Sequence, residues 1–383
     1  MRCVVILFTR DLRVHDNPAL AAAAREAEHV LPLFVSDPML RGVSERRDRL
    51  VDAALQDLDR SLRRLGAGLE VRRGDSVAET VRVAREVGAD AVFLAEDVSP
   101  FATRREAALR AEVEVHAFAG VTIIPPGTVT PVGKPGYRVF SPYLRVWSAA
   151  PRRAPEDPPR ALRLPPGLTV PPVPGDSGGG ETGARNALKR WLRGGDASYG
   201  DRRDDLGGGS GLSAALHLGL LSPLEVASRS QSQAFVRQLA WRDFFAQLLA
   251  AHPETVRDDL HQGRRAWHDD PDGLAAWKEG ATGVPIVDAA MRELAATGEM
   301  HNRLRMLVAA YLTKTLHIDW REGAAHFMRH LLDGDVAANT GNWQWVAGTG
   351  ADTRPNRTFN YERQAKRLDP DGAYVERWLS RRG

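Results

Sequence analysis

Between residues 300 and 345 the chain groups side chains that could hold a charged or aromatic ligand. In Met300-His301-Asn302-Arg303-Leu304-Arg305-Met306, helical spacing puts Asn302 and Met306 at i and i+4, with Arg305 at i+3 on the same side. An Asn and an Arg converging inside a helical region are costly unless they meet polar partners, either a buried Asp or a ligand. Asp333-Gly334-Asp335 precedes an apolar helical pattern, and Asn339 follows Asp335 at i+4. An Asp in that place caps a helix and complements its dipole. The residues that follow, Thr340-Gly341-Asn342-Trp343-Gln344-Trp345, mix polar and aromatic groups. Trp343 and Trp345 are about 200° apart around a helix, so they face different environments. Upstream, Tyr199 and Arg202-Arg203 lead to Gly207-Gly208-Gly209-Ser210-Gly211-Leu212-Ser213. A Gly/Ser loop entering a helix offers N–H groups and hydroxyls to a phosphate, although a plain flexible turn has the same composition.

The elements that position these residues follow from periodicity. Cys3–Phe8, Val30–Val35, Leu69–Val71, Ala91–Leu94 and Val113–Phe118 read as buried strands, with helices at Pro18–Ala27, Glu45–Leu65, Ser76–Val87 and Phe101–Ala111 between them. This alternation predicts βαβ units and a parallel sheet. No Gly-x-Gly-x-x-Gly follows the first strand, so a standard dinucleotide site is not expected there. Pro151 to Gly183 is rich in Pro and Gly and lacks helical periodicity, which predicts a linker. Beyond it apolar residues recur at helical spacing in Ala184–Arg193, Pro223–Ala227, Gln233–Ala251, Val284–Thr297, Met300–Leu316, Trp320–Leu331 and Asp335–Trp345. The expectation is an α/β Rossmann-like domain with a parallel sheet over 1–130, a linker over 131–183, and an all-α domain over 184–383.

Composition narrows the function classes. With 383 residues, 43% hydrophobic and 26% charged, the chain is of a soluble globular kind, and no window approaches the ~18–20 apolar residues of a membrane span. Cys3 is the single cysteine, which excludes an internal disulfide, a thiolate zinc cluster and a Cys-x-x-Cys redox pair. A cytoplasmic, monomeric protein is expected, and any redox chemistry must use something other than sulfur. The net charge is +3, and Asp352–Gly383 alone holds eight Lys/Arg against five Asp/Glu, so the excess sits at that end. Such local basicity suits phosphate contact or is simply a solvated surface. Eight of the nine Trp lie beyond residue 190, among Arg, Asn and Asp rather than in plain apolar stripes.

With these motifs in order, nearly the whole sequence resembles the photolyase/cryptochrome family, most closely the bacterial class I cyclobutane pyrimidine dimer photolyases. The likeness is carried by Phe8-Thr9-Arg10-Asp11-Leu12-Arg13-Val14-His15-Asp16-Asn17, Trp241-Arg242-Asp243-Phe244-Phe245, Pro285-Ile286-Val287-Asp288-Ala289-Ala290-Met291-Arg292, Met300–Met306, Ile318-Asp319-Trp320-Arg321-Glu322-Gly323 and Asp333–Trp345. The resemblance implies an FAD-binding helical domain and light-driven repair of pyrimidine dimers in damaged DNA. It implies that Tyr199, Gly209, Ser210, Gly211, Leu212, Ser213, Gln238, Arg242, Arg305, Asp333, Gly334, Asp335 and Asn339 surround FAD, with Arg305 paired to Asp333 and Asn339 at flavin N5. Trp343, Trp320 and Trp277 would form an electron path, Trp343 nearest the flavin and Trp277 nearest the surface. Trp241 and Trp345 would wall a pocket for the extruded dimer, lined by Gln238, Asn302, Arg303 and Met306. Arg203 and Gln364 match DNA-contacting positions.

Three departures matter. Gln238 stands where dimer photolyases usually carry Glu; Gln is more typical of (6-4) photolyases and animal cryptochromes, which leaves (6-4) repair and a blue-light photoreceptor open as alternatives. Against (6-4) repair, His301-Asn302-Arg303 lacks that group's His pair, and Met306 is of the dimer type. The usual Thr-Ser-Arg-Leu-Ser loop reads Gly209-Ser210-Gly211-Leu212-Ser213, without its Arg. The Asn-Glu pair that holds a pterin in folate-binding relatives aligns near Ala102-Thr103, which favours 8-hydroxy-5-deazaflavin, or no antenna, over methenyltetrahydrofolate.

Overall fold

Six consecutive apolar residues, Cys3–Phe8, form β1, buried along its whole length at the centre of a five-stranded sheet. The computed structural model describes residues 1–176, 178–261, 266–351 and 359–380. β1 is followed by α1 (Pro18–Glu26), β2 (His29–Ser36), α2 (Glu45–Arg64), β3 (Glu70–Arg73), α3 (Ser76–Glu86), β4 (Ala91–Ala95), α4 (Pro100–Arg110) and β5 (Val115–Phe118). Every pairing is parallel and the order is β3-β2-β1-β4-β5. The chain therefore builds outward from β1 to one side, then returns to place β4 on the other. That reversal opens a crevice at the carboxyl ends of β1 and β4, where doubly wound sheets take ligands.

Helix starts are written locally. Asn17, Ser44, Asp75 and Ser99 each accept a first-turn N–H of α1 to α4, and Pro follows the cap in α1 and α4. The Phe8–Asn17 motif is mostly architecture. Arg13 is buried and donates to the carbonyls of Gly120 and Gly219 at 3.0 Å, while Asp11 receives the Thr9 N–H at 2.8 Å.

After β5 come α5 (Phe140–Ala149), α6 (Gly180–Gly194), α7 (Tyr199–Arg202), α8 (Ser213–His217), α9 (Pro223–Arg229), α10 (Gln233–Ala251), α11 (Pro271–Glu279), α12 (Pro285–Thr297), α13 (Asn302–Ala310), α14 (Trp320–His330), α15 (Val336–Ala347), α16 (Tyr361–Leu368) and α17 (Ala373–Leu379). The continuous helix expected over Met300–Leu316 stops at Ala310, and Tyr311–Thr315 form a π turn. This widened turn carries Leu312 and Thr313 into the core. α5, α7, α8, α11, α16 and α17 are short, and sequence periodicity did not mark them.

Apolar burial is continuous between the two halves. One cluster runs from Val4, Ile6 and Phe8 through Leu212–Leu224 to Leu239 and Phe244 of α10. A second, around Trp277, Leu304, Trp320, Phe327 and Trp343, lies among α11 to α15 and takes in Leu368 of α16. Asp243 ties the halves: its Oδ2 accepts the N–H groups of Ile123 and Ile124 and the indole N–H of Trp147, each at 2.9 Å. At Gly341 a Cβ would stand 2.1 Å from the Phe245 ring, so glycine is what lets α15 approach α10 this closely. No helix among the described residues is long and apolar enough to cross a membrane.

Candidate active site

α15 begins at Asp335, whose side chain accepts the Ala338 N–H at 2.8 Å, as its place before an apolar helical pattern predicts. Two residues earlier, Asp333 accepts from Nη2 of Arg305 through both oxygens at 3.0 Å, and Arg305 Nε donates to the Met300 carbonyl at 2.8 Å. The Arg305–Asp333 pairing is thus present. Asn302, Arg305 and Met306, spaced to share one helical side, open into one cavity with Asp333, Asp335, Asn339 and Trp343. Phe327, Leu331 and Val346 complete its apolar wall. Asn339 donates from Nδ2 to the Ala324 carbonyl at 3.0 Å, which fixes its amide between α14 and α15.

Asp335 also faces a second cavity, in the crevice predicted by the strand order. Its lining includes Arg10 after β1, Glu96, Asp97 and Ser99 after β4, Glu106 of α4 and Arg242 of α10. Arg10 bridges the halves: it donates to Asp97 at 3.2 Å and is ion-paired with Asp335. Burial opposes the charge on Asp335, but Arg10 and Arg242 outweigh it and hold the carboxyl well below the usual range. Arg242 donates to the carbonyls of Val121 and Leu216. Burial, then the neighbouring Glu106, pushes the Glu96 carboxyl up. The Thr9 hydroxyl and Arg105 Nε are buried without partners. Ala102 and Thr103 are in the first turn of α4, with Thr103 exposed, and Ser99 lines the cavity instead. His217, at the end of α8, has an unpartnered buried Nδ1, and burial followed by Arg10 brings its pKa down to about 3.

The aromatic residues separate as their spacing predicts. Trp343 is 2% exposed, while Trp345 is half-buried. Trp343 meets Phe327 with ring centroids 5.0 Å apart and Trp277 at 6.0 Å. The expectation that Trp277 lies nearest the surface is wrong. It is 0% exposed, packed against Trp343, Phe327 and His326, with its N–H on the Val308 carbonyl at 2.9 Å. The half-buried Trp267 packs on the same cluster nearer solvent. Trp241 stacks on Phe140 at 3.7 Å and 8°, so one face of its indole is already covered. Tyr199 packs edge-on against Trp191 and Phe235. The loop Gly209–Ser213 leads into the single short turn of α8, with Gly211 at φ +67° and Ser210 Oγ accepting the Leu212 N–H at 3.3 Å. Neither Tyr199, this loop, Gly334, Gln238, Trp241 nor Trp345 is among the residues lining either cavity.

Arg303 donates to Asp204 at 2.7 Å, and Arg367 of α16 pairs with the same carboxylate. Burial opposes ionisation of Asp204, but Arg303, Arg367 and Arg203 outweigh it and lower its pKa. One acid thus gathers three arginines, with the half-buried Gln364 three residues before Arg367 on α16. Of the basic residues that make up the C-terminal surplus, Arg354, Arg357, Arg381 and Arg382 lie outside the described residues. Sequence reasoning missed Glu96, Asp97 and Glu106, and gave Arg10 no role beyond its motif. For Arg10, Glu96 and Asp97 the available signal was position, charged residues just after strands on either side of the reversal point.

Residues 4–162 match the family model "DNA photolyase" and residues 235–381 the model "FAD binding domain of DNA photolyase". The chain is 47% identical to a deoxyribodipyrimidine photo-lyase of Streptomyces griseus, across 99% of this chain and 90% of that protein. It superposes on a bacterial class III photolyase from Agrobacterium tumefaciens with TM-score 0.90 and 32% identity, covering 99% of this chain and 87% of that one. An archaeal photolyase from Sulfolobus tokodaii, solved with two FAD molecules, matches with TM-score 0.87 and 30% identity over 98% and 90% of the two chains. Two domain models matched in order, and close identity along almost the full length, give one conclusion: the chain belongs to the DNA photolyase family.

Proposed function

We propose that the chain repairs cyclobutane pyrimidine dimers in damaged DNA with light, using FAD held in the helical cavity. The observation that carries this reading is the cavity itself. The Arg305–Asp333 pair and Asn339 line it together with Trp343, Met306 and Phe327, and this mixture of polar and aromatic groups suits a flat ring system with a polar edge. Arg305, Asp333, Asp335 and Asn339 would hold the ring system, with Asn339 toward N5. Arg242, Tyr199 and the loop Gly209–Ser213 would follow the rest of the molecule. When bound, FAD supplies light absorption and the electron for repair. The protein binds, orients and tunes, and no metal or acid/base machinery is assigned.

Trp343, at the cavity wall, is the first donor in the electron path, Trp320 the second, and the half-buried Trp267 gives the path a surface end; Trp277 is a buried neighbour of Trp343. Trp241 and Trp345 offer aromatic faces to an extruded base pair, at ~1–3 kcal/mol per stacked base, offsetting part of the cost of unstacking. Asn302, Met306 and Gln238 would meet the base edges. Arg203, Arg303 and Gln364 would contact the strand. In the crevice Arg10 stands among the carboxylates of Glu96, Asp97 and Asp335, and the antenna reading rests on Ala102-Thr103, which favours 8-hydroxy-5-deazaflavin, or no antenna, over a folate.

Gln238 favours one other reading. It is half-buried and without a hydrogen-bond partner among the described residues, so its amide is free to read a base edge but carries no charge. Repair of (6-4) lesions, or a photoreceptor without repair, would follow from that. The test is to illuminate the FAD-loaded, reduced protein with oligonucleotides bearing one lesion or the other. Recovery of thymine from the cyclobutane lesion, faster in Gln238→Glu, is expected. Recovery from the (6-4) lesion alone, or from neither, overturns the proposal.

A further inference from the structure

The helical cavity opens to solvent between two amides. Of the residues that line it, only Asn302 and Asn342 are exposed, and the rest are half-buried or buried. Asn302 opens α13 and Asn342 stands on α15, so the mouth is flanked from two helices. Asn342 follows Asn339 by three residues and precedes Trp345 by three, about 60° around the helix at each step. It therefore lies between the face of α15 turned to the cavity and the face that carries Trp345, one of the two aromatic walls proposed for the lesion.

The helix fixes the direction of this amide. Nδ2 donates to the Ala338 carbonyl at 2.7 Å, and Oδ1 has no partner among the described residues. What Asn342 presents at the mouth is a lone acceptor. The carboxylates deeper in the cavity are engaged, Asp333 with Arg305, and Asp335 with the Ala338 N–H and Arg10. The helix itself does not need the amide. In the interior of α15 the Ala338 carbonyl already has its helical partner, and Asn is a poorer helix former than Ala.

We infer that Asn342 reads the lesion, its Oδ1 accepting the imide N3–H of one base of the extruded dimer. This rests on the repair reading above. A pyrimidine turned out of the duplex leaves its Watson–Crick partner behind, and a buried N–H without an acceptor is costly. An acceptor at the mouth replaces that bond only for a base that has left the stack, so it favours the lesion over an undamaged strand. Asn302, on the other helix, has an amide available for the second base. Gln238 approaches from α10 and is outside the lining of this cavity, so it does not duplicate Asn342.

The experiment measures the affinity of FAD-loaded wild type and Asn342→Ala for a single-stranded oligonucleotide carrying one cyclobutane dimer and for the same strand undamaged, at one salt concentration. Alanine is favourable at an exposed helix position, so the variant should fold. Wild type should prefer the dimer, and Asn342→Ala should lose about tenfold of that preference while the undamaged strand binds as before. Dimers methylated at N3 of one base at a time then locate the bond. Methylation of the base that Asn342 reads should make wild type and variant bind alike, and methylation of the other base should leave their difference in place. A preference unchanged in Asn342→Ala overturns the inference, as does a difference that survives methylation of each base in turn. Loss of flavin from Asn342→Ala also overturns it, by assigning the residue to the cofactor. Wild type without any preference for the dimer overturns the repair reading, and the inference with it.

Discussion

The two cavities that share Asp335 are built in opposite ways. The helical cavity takes its polar groups from two neighbouring stretches, 302–306 and 333–339, and neutralises them locally through Arg305 and Asp333. The crevice takes Arg10, Glu96, Asp97 and Arg242 from elements far apart in the chain, and its central cation, Arg10, is paired with both Asp97 and Asp335. A site whose charges are already paired can receive a flat, nearly neutral ring system with little rearrangement. The difference also says which substitutions propagate. A change in the helical cavity stays near it, whereas a change at Arg10 reaches both sites through Asp335.

Arg305→Ala should have the largest effect. It leaves Asp333 without its cation and frees the Met300 carbonyl. Breaking a buried pair costs about 3–5 kcal/mol; with the two side chains 27% and 15% exposed, about 3 kcal/mol is expected. Flavin content of the purified protein should fall by about two orders of magnitude in affinity terms. The measurements are the flavin-to-protein absorbance ratio and a melting curve. Normal flavin loading would remove the helical cavity as the flavin site.

Arg10→Ala comes next and probes the bridge. Asp97 and Asp335 both lose a partner, although Arg242 still faces Asp335, so a loss of about 2–3 kcal/mol is expected. The sharper outcome is that flavin affinity falls along with stability, because Asp335 caps α15 and lines the helical cavity too. If the melt moves and flavin affinity does not, the two sites are independent.

The contrast also explains what the sequence could show. The helical cavity was legible because its residues lie on two helices whose 3.6-residue period converts spacing directly into a shared face. Trp343 and Trp345 separated into core and rim for the same reason. The parallel sheet was legible from alternating runs, but its strand order and the crevice were not, because Arg10, Asp97 and Arg242 meet only once β1, β4 and α10 are packed. The resemblance alone put Trp277 at the surface end of the path, and nothing in its spacing showed that its helix face points at Trp343.

Asp243 offers a smaller, pH-dependent test of the seam between the two halves. Burial pushes its carboxyl up to about 6, against the three N–H donors and Arg242 that favour the charged form. In the unfolded chain it ionises near 4, so between about pH 4 and 6 the folded state binds more protons. Stability should therefore fall as pH rises through that window, by at most about 3 kcal/mol from this group, and level off above it. Asp243→Asn should remove that slope. A slope unchanged in the variant would assign it to other groups.

Gly323→Ala should give the smallest effect, and the sign is decided by magnitude. In a helix interior, replacing Gly by Ala is favourable by about 1 kcal/mol, and Gly323 has no left-handed φ to forbid it. The added Cβ would stand 2.1 Å from the Trp343 ring and 2.7 Å from Leu312 Cδ2. Phe327 and Trp277 back the Trp343 ring, which can yield only toward the helical cavity and away from those partners, so overpacking of about 1–3 kcal/mol wins and the net loss is about 1 kcal/mol. Because the displaced ring lines the helical cavity, photoreduction of bound flavin should slow while the ligand chemistry of the crevice stays as it was. A stabilised variant with unchanged photoreduction would mean that Trp343 is not held by packing, and that the helical cavity is the softer of the two sites.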